Sequence, residues 1–219
     1  TSDPKITFNS DGWCDYCSNY HELIKPNWQP NDLGLKKIMP IIEKIKEEGK
    51  NKDYDCLIGI SGGLDSSYVT HVAVNTFGLR PLMFHCDTGW NSDLGVSNIQ
   101  KVIEGLNLDL VTEVVNWEEM KDLQLAVLKS QIADQDLPQD YAFFSSLYKF
   151  ARKNKIRYVV TGSNISTECC REPREWGGSI GIDTILIKDI HAKFGTRPLK
   201  TFPLVDILTY KIFYRYVLG

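Results

Sequence analysis

The residues best placed to do chemistry lie in one short stretch, Ile58 to Ser67, which reads I-G-I-S-G-G-L-D-S-S. Ser61 and Ser66 bring hydroxyls, Asp65 brings a carboxylate, and Gly62 and Gly63 leave the backbone bare between them. The stretch follows the apolar run Cys56-Leu57-Ile58. It precedes a segment in which Leu64, Tyr68 and Val72 form an i, i+4, i+8 row, with Val69 and Ala73 beside it. This pattern predicts a strand, a glycine turn and a helix. Such a turn aims unpaired N–H groups and the positive end of a helix at one point, which suits a phosphate. The glycines permit close approach, the loop from Ser61 to Ser67 offers hydroxyls to phosphate oxygens, and Asp65 can hold magnesium beside them. No lysine follows the glycines as G-x-x-x-x-G-K-[ST] requires, and the third glycine of G-x-G-x-x-G is missing. The plain alternative, a tight strand-to-helix connection, leaves the flanking serines and aspartate without a role.

A second group is thiol-based. Cys14 and Cys17, separated by two residues in a polar, turn-rich arm, could form half of a tetrahedral metal site. His21 lies close by, whereas Cys169 and Cys170, the distant thiols that can complete the set, lie far along the chain. Structural zinc, a reducible or cluster-binding pair, and a pair without cofactor remain open. A third group, Arg171 and Arg174, occupies a Pro- and Gly-containing loop. There they can meet a carboxylate or phosphate of a second substrate, or pair at the surface with Glu172 and Glu175.

Positioning these groups requires a frame. Asn31 is expected to cap a helix over Asp32–Glu48, with Leu35, Ile38, Met39, Ile42 and Ile45 on its apolar side and a kink or early break at Pro40. From Asp53 onward, short apolar runs alternate with amphipathic stretches, the pattern of a parallel sheet covered by helices. Strands are predicted at Asp55–Ile60, Leu82–Cys86, Leu110–Val115, Tyr158–Thr161 and near Leu199–Phe202. Helices are predicted at Leu64–Thr76, Leu94–Gly105, Trp117–Ser130, Asp140–Lys153, Asp183–Phe194, and from Asp206 to the end. The expected fold is therefore α/β: a doubly wound, mainly parallel five-stranded sheet with helices on both faces. A Cys-containing arm and helix (residues 1–50) precede the nucleotide-binding domain (residues 51–219). The apolar residues from Ile207 to Leu218 run directly into the last residue, which suggests a truncated domain or a covering partner.

Composition narrows the class. The chain has 219 residues, 42% hydrophobic and 24% charged, enough for one substantial core. A net charge of −3 gives no reason to expect nucleic-acid or membrane attraction. The run Lys149, Arg152, Lys153, Lys155 and Arg157 straddles a helix C-terminus, where cations complement the dipole. No apolar run approaches the roughly 18 residues of a membrane span. The cysteine spacing reads as reduced thiols, so a cytoplasmic setting is expected.

The S-G-G-x-D-S loop resembles the PP-loop of the ATP-pyrophosphatase superfamily, which includes asparagine and GMP synthetases and the tRNA thiolation and lysidine enzymes. The resemblance implies an adenine-nucleotide alpha-hydrolase-like fold and cleavage of ATP between the α- and β-phosphates, with magnesium. It also implies that Phe84-His85-Cys86-Asp87-Thr88-Gly89-Trp90 is the second motif, whose strand edge reads adenine and which brings His85 and Asp87 to the nucleotide. Thr161-Gly162-Ser163-Asn164 resembles the T-G-H-N element of the tRNA enzymes, with serine for histidine, and places Gly162 and Asn164 at the nucleotide. The cysteine arm, T-G-S-N, Glu168-Cys169-Cys170, and Gln135-Asp136 through Gln139-Asp140-Tyr141 together resemble the N-acetyl sugar amidotransferases of bacterial surface-polysaccharide pathways. That resemblance implies an ATP-dependent conversion of an acetamido group of a nucleotide-linked or sialic-acid-like sugar, as in lipopolysaccharide O-antigen biosynthesis, into an acetamidino group. Asp65 and Ser61 would be catalytic, and a glutaminase partner would supply ammonia. Three alternatives are a PP-loop sulfurtransferase acting on tRNA, a ligase acting on another carboxylate or amide as in asparagine-type synthesis, and a non-catalytic nucleotide-binding module.

Overall fold

The computed structural model describes residues 3–163 and 183–205. Its sheet contains β1 (Cys56–Gly59), β2 (Pro81–Asp87), β3 (Leu110–Val114) and β4 (Val159–Val160), in the spatial order β3-β2-β1-β4. All pairings are parallel, with Ile58 opposite Met83 and Val160, and Phe84 opposite Val111. The chain builds outward from β1 to β3, then returns to the other side of β1. This places the topological switch between β1 and β4.

The helices are α1 (Asp15–Asn19, continued by a wide π-type turn over Tyr20–Ile24), α2 (Asp32–Gly49), α3 (Leu64–His71, continued by a π-type turn over Val72–Thr76), α4 (Asp93–Leu106), α5 (Trp117–Ser130), α6 (Leu137–Lys153) and α7 (Thr184–Phe194). Strand side chains alternate between two cores. Leu57, Leu82, Phe84 and Cys86 pack with Met120 and Leu123 of α5, Tyr141 and Leu147 of α6, and Ile187 of α7. Cys56, Ile58, Ile60 and Met83 pack on the opposite face with Ile42 and Ile45 of α2, Ala73 after α3, and Ile99 of α4. Helices therefore cover both faces, as the near-continuous apolar strands require.

Two expectations need correction. The helix through Pro40 is unbroken, and Asn31 caps it by accepting from the N–H groups of Leu33 and Gly34. Only Ile42 and Ile45 of the expected apolar side are buried, while Leu35 and Ile38 stay exposed, so the half of α2 after Pro40 anchors it. Leu199–Phe202 is not a strand, and the sheet among the described residues has four strands, not five. The N–H groups of that segment go to a carboxylate instead. Thr201 N and Phe202 N donate to Glu119 at 2.9 and 2.7 Å. The terminal helix expected from Asp206 lies outside the described residues.

A second carboxylate completes this clamp. Asp122 accepts from Thr196 Oγ1 (2.5 Å), Thr196 N (3.0 Å) and Arg197 N (3.3 Å), and lies 3.0 Å from His191 Nε2. Burial works against its ionisation, but the bonds from Thr196, His191 and Arg197 prevail and hold its carboxyl at about 2. Because the folded value lies below the unfolded one, this stabilisation is present above about pH 4 and is lost as pH falls toward 2. Asp122→Ala is expected to cost about 2–4 kcal/mol in urea unfolding at pH 7. The gap to the wild type should narrow between about pH 4 and pH 2. Matching midpoints at pH 7 would show that the clamp does not hold this end of the fold.

Candidate functional site

β1 delivers the chain into the glycine turn, and α3 starts from it. Gly63 is the N-cap residue of α3 and offers no side chain, so the first-turn N–H groups are left for a ligand. Gly62 has φ +77°, and a Cβ there would lie 2.2 Å from the carbonyl oxygen of Gly95 in the first turn of α4. Asn98 Nδ2 donates to Gly62 O at 3.1 Å, and Ser92 Oγ accepts from Gly95 N at 3.1 Å. The loop is thus pinned between the starts of two helices. Gly63 is different, since a Cβ there would meet only Ser61 Oγ, at 3.4 Å.

Within the loop, the Ser61 and Ser66 hydroxyls lie 3.2 Å apart, and Ser66 Oγ accepts from Ser61 N at 3.3 Å. Ser67 Oγ donates to Gly63 O at 2.7 Å, so it braces the turn. Across the topological switch, a Cβ on Gly162 would lie 2.8 Å from Asp65 O, which explains glycine where the β4 loop meets α3. The loops after β1, β2 and β4 enclose a cavity of about 590 Å³. Ser61, Ser66, His85 and Gly162 line it, together with Trp90, Asn91, Gln139, Asp140, Phe143 and Phe144.

The structure therefore gathers four of the expected residues around one space and frames it with Gly62 and Gly63. His85 is tied to the scaffold: Nδ1 donates to the carbonyl of Ile60 at 3.0 Å, and Nε2 accepts from the Asn91 amide at 3.1 Å. Asp65 is exposed in the first turn of α3 and makes no hydrogen bond or ion pair among the described residues. It does not line the cavity itself. Asp87 shapes its own turn by accepting from Gly89 N at 2.9 Å, and lines a separate cavity of about 330 Å³ against α4. Asn164, Cys169, Cys170, Arg171 and Arg174 lie outside the described residues.

The α6 wall was not assigned to the site from sequence. Gln139 Oε1 accepts from Thr88 Oγ1 at 3.1 Å, joining that wall to the β2 loop. Burial, then the charges of Asp134 and Asp136, pushes the Asp140 carboxyl above its ordinary value. The grouping Gln135-Asp136 with Gln139-Asp140 is visible in the sequence, but only packing shows that Gln139 and Asp140 face the nucleotide end.

In the arm, Phe8 pairs antiparallel with Cys14, and Cys17 N donates to Cys14 Sγ at 3.4 Å. The two sulfurs are 3.4 Å apart. The Cys17 N–H and then its thiol lower the Cys14 value, while the hydrogen bond to Cys14 raises that of Cys17. Two convergent sulfurs with an N–H···S contact fit one edge of a tetrahedral thiolate site. Among the described residues, no group of three metal-binding side chains forms. Cys56 and Cys86 are buried, and burial pushes both thiols to about 12. No helix among the described residues is long and apolar enough to cross a membrane.

No family model matches the chain. It is similar to one component of the glutamine-hydrolyzing GMP synthase of Methanosarcina barkeri, with 30% identity over 131 residues. That match covers 58% of this chain, and the chain spans only 40% of the relative's length. Among solved structures, an NH3-dependent NAD synthetase from Campylobacter jejuni aligns at TM-score 0.42 and 18% identity, covering 59% of this chain and 56% of that one. The NMN synthetase of Francisella tularensis aligns at TM-score 0.44 and 19% identity, covering 83% and 70%. The sequence likeness agrees with the PP-loop resemblance at the level of the superfamily and does not reach a sugar substrate.

The two loop glycines should respond differently to substitution. Gly62→Ala puts a side chain into Gly95 at positive φ and is expected to cost roughly 1–3 kcal/mol of stability while disordering the phosphate loop. Calorimetric titration with magnesium ATP should then show at least about tenfold weaker binding. Gly63→Ala should unfold at the wild-type midpoint. Wild-type ATP affinity in Gly62→Ala would mean that the loop does not form the phosphate site.

Proposed function

We propose that the protein is an ATP-dependent, AMP- and pyrophosphate-forming amidotransferase that converts an acetamido group of a bacterial surface sugar into an acetamidino group. One observation carries the ATP half: Ser61 and Ser66 face the cavity beside the uncapped start of α3, in a glycine turn with no lysine. The partial likeness to a protein named for GMP synthesis with glutamine hydrolysis supports coupling of a nucleotide to nitrogen transfer. The sugar half rests on the sequence resemblance.

An amide carbonyl resists ammonia because oxide is a poor leaving group. In the proposed reaction, the amide oxygen attacks the α-phosphorus of ATP. The bond from that phosphorus to the bridging oxygen breaks, releasing pyrophosphate and leaving an O-adenylated imidate. Ammonia adds to the imidate carbon, the C–O bond to AMP breaks, and an amidine forms with release of one proton. The α3 N–H groups and the two serines hold the phosphates while charge accumulates on pyrophosphate. The exposed, unpaired Asp65 carboxylate at the loop fits magnesium, which when bound neutralises phosphate charge. A separate glutaminase is the proposed ammonia source, and nucleotide-linked or sialic-acid-like sugars are the proposed substrates. Buried Cys56 and Cys86 disfavour a persulfide route through those thiols. In the arm, Cys14 and Cys17 are assigned to structural zinc completed by Cys169 and Cys170.

Substrate-dependent turnover with ammonium should release pyrophosphate and AMP. Steady ADP and phosphate would instead exclude the PP-loop chemistry. Asp65→Asn is expected to lower kcat by a factor corresponding to roughly 2.7–4 kcal/mol, on the scale of a lost oxyanion-hole donor, while leaving the unfolding midpoint in place. Full activity in that variant would remove Asp65 from the mechanism. Elemental analysis should find about one zinc per chain, lost in Cys17→Ser. A metal-free, folded and active wild type would end the zinc assignment.

A further inference from the structure

We infer that Trp90 is the platform on which the ring of the second substrate stacks at the mouth of the phosphate-loop cavity. This rests on the proposed sugar amidotransferase reading and adds the residue that grips the sugar. Trp90 lines the cavity yet remains 55% exposed, an indole held at the surface beside the reacting groups. Its position is built in. Trp117, the first residue of α5, lies against it with ring centroids 5.2 Å apart and planes at 76°. Gly89 makes room for that contact: it has φ +87°, and a Cβ there would lie 2.3 Å from Trp117 Cε3. Both chain neighbours of Trp90 are also tied down, Gly89 N to Asp87 Oδ1 at 2.9 Å and the Asn91 amide to His85 Nε2 at 3.1 Å. The ring is therefore pre-organised and loses little freedom when a ligand covers it.

A flat, half-exposed indole suits the C–H face of a pyranose, which is apolar, while the sugar hydroxyls and acetamido groups remain in reach of polar partners. Asn91, Gln139 and Asp140 supply such partners in the same cavity. A different surface of the cavity is open to a purine. Phe143, Phe144 and Leu147 form an interior apolar wall, with Phe143 packed so closely on Gly59 that a Cβ there would lie 2.4 Å from its Cζ. That wall adjoins the ends of β1 and β2, whereas Trp90 stands on the loop leading into α4.

The test uses the whole chain with magnesium and α,β-methylene-ATP, and two probes, UDP-N-acetylglucosamine and N-acetylneuraminic acid. Saturation-transfer NMR reads contact with sugar ring protons, and titration reads affinity for each ligand separately. At least one sugar should bind the wild type with its ring protons saturated. Trp90→Ala should weaken that sugar about tenfold or more and Trp90→Phe by less than about threefold, with the ATP analogue changed by less than about twofold in both. Unchanged sugar affinity in Trp90→Ala would overturn the platform while leaving the sugar reading in place. Selective loss of the ATP analogue would assign Trp90 to the purine and overturn it equally. A wild type that binds the analogue but neither sugar would overturn the platform and the sugar reading together.

Discussion

The backbone contact between Gly62 and Gly95 is the constraint on which the site depends. Two helices, α3 and α4, follow neighbouring strands, and the turn that leads into α3 meets the first turn of α4 with no room for a Cβ between them. A side chain at Gly62 would drive the loop away from α4 and turn the α3 N–H groups off the cavity. The positive φ at Gly62 makes the same demand from within the residue. Glycine is therefore required there twice over, once for conformation and once for space.

That contact has its effect because of where the sheet reverses. With β4 added on the far side of β1, the strand order reverses between them, and the crevice lies at that switch, bordered by the loops after β1, β2 and β4. Gly162 then approaches the first turn of α3 from the other side. The floor of the crevice holds Ser61, Ser66 and the start of α3, whose N–H groups favour anions, while its α6 wall is aromatic. A ligand with a phosphate end and a flat end matches both. His85 contributes as a strut, binding the end of β1 to the loop that carries Asn91.

Stability on the opposite face comes from an unusual source for a chain with such apolar strands. Two carboxylates on α5, Glu119 and Asp122, collect the backbone N–H groups of the segment after α7. A buried carboxylate satisfied by several N–H donors replaces the ladder that a fifth strand would have formed. Tyr141 continues the arrangement: its hydroxyl lies 2.6 Å from Thr184 Oγ1 and accepts from Val205 N at 2.9 Å. α5, α6 and α7 are fastened to one another by polar groups as well as by packing.

The sequence by itself determined the parts that depend on local periodicity and local chemistry. The four parallel strands, the helices between them, the Asn31 cap and the S-G-G-x-D-S turn were all legible, because apolar spacing and glycine placement act over a few residues. Ser61 and Ser66 were legible from the glycine turn itself, and His85 and Gly162 through the resemblance of their motifs to those of the PP-loop superfamily. Tertiary structure alone decided the rest. Leu199–Phe202 has strand-like composition, but Glu119, about 80 residues earlier in the chain, takes its N–H groups at long range. Asp87 looked like a ligand residue, and its carboxylate closes a turn and faces another cavity instead. Phe143 shows no motif of its own, and the motifs that contain Trp90 and Gln139 do not say that the two residues share a cavity. All three belong to the site because packing brings the α6 wall and the β2 loop to one space, a relation between segments that no local pattern carries.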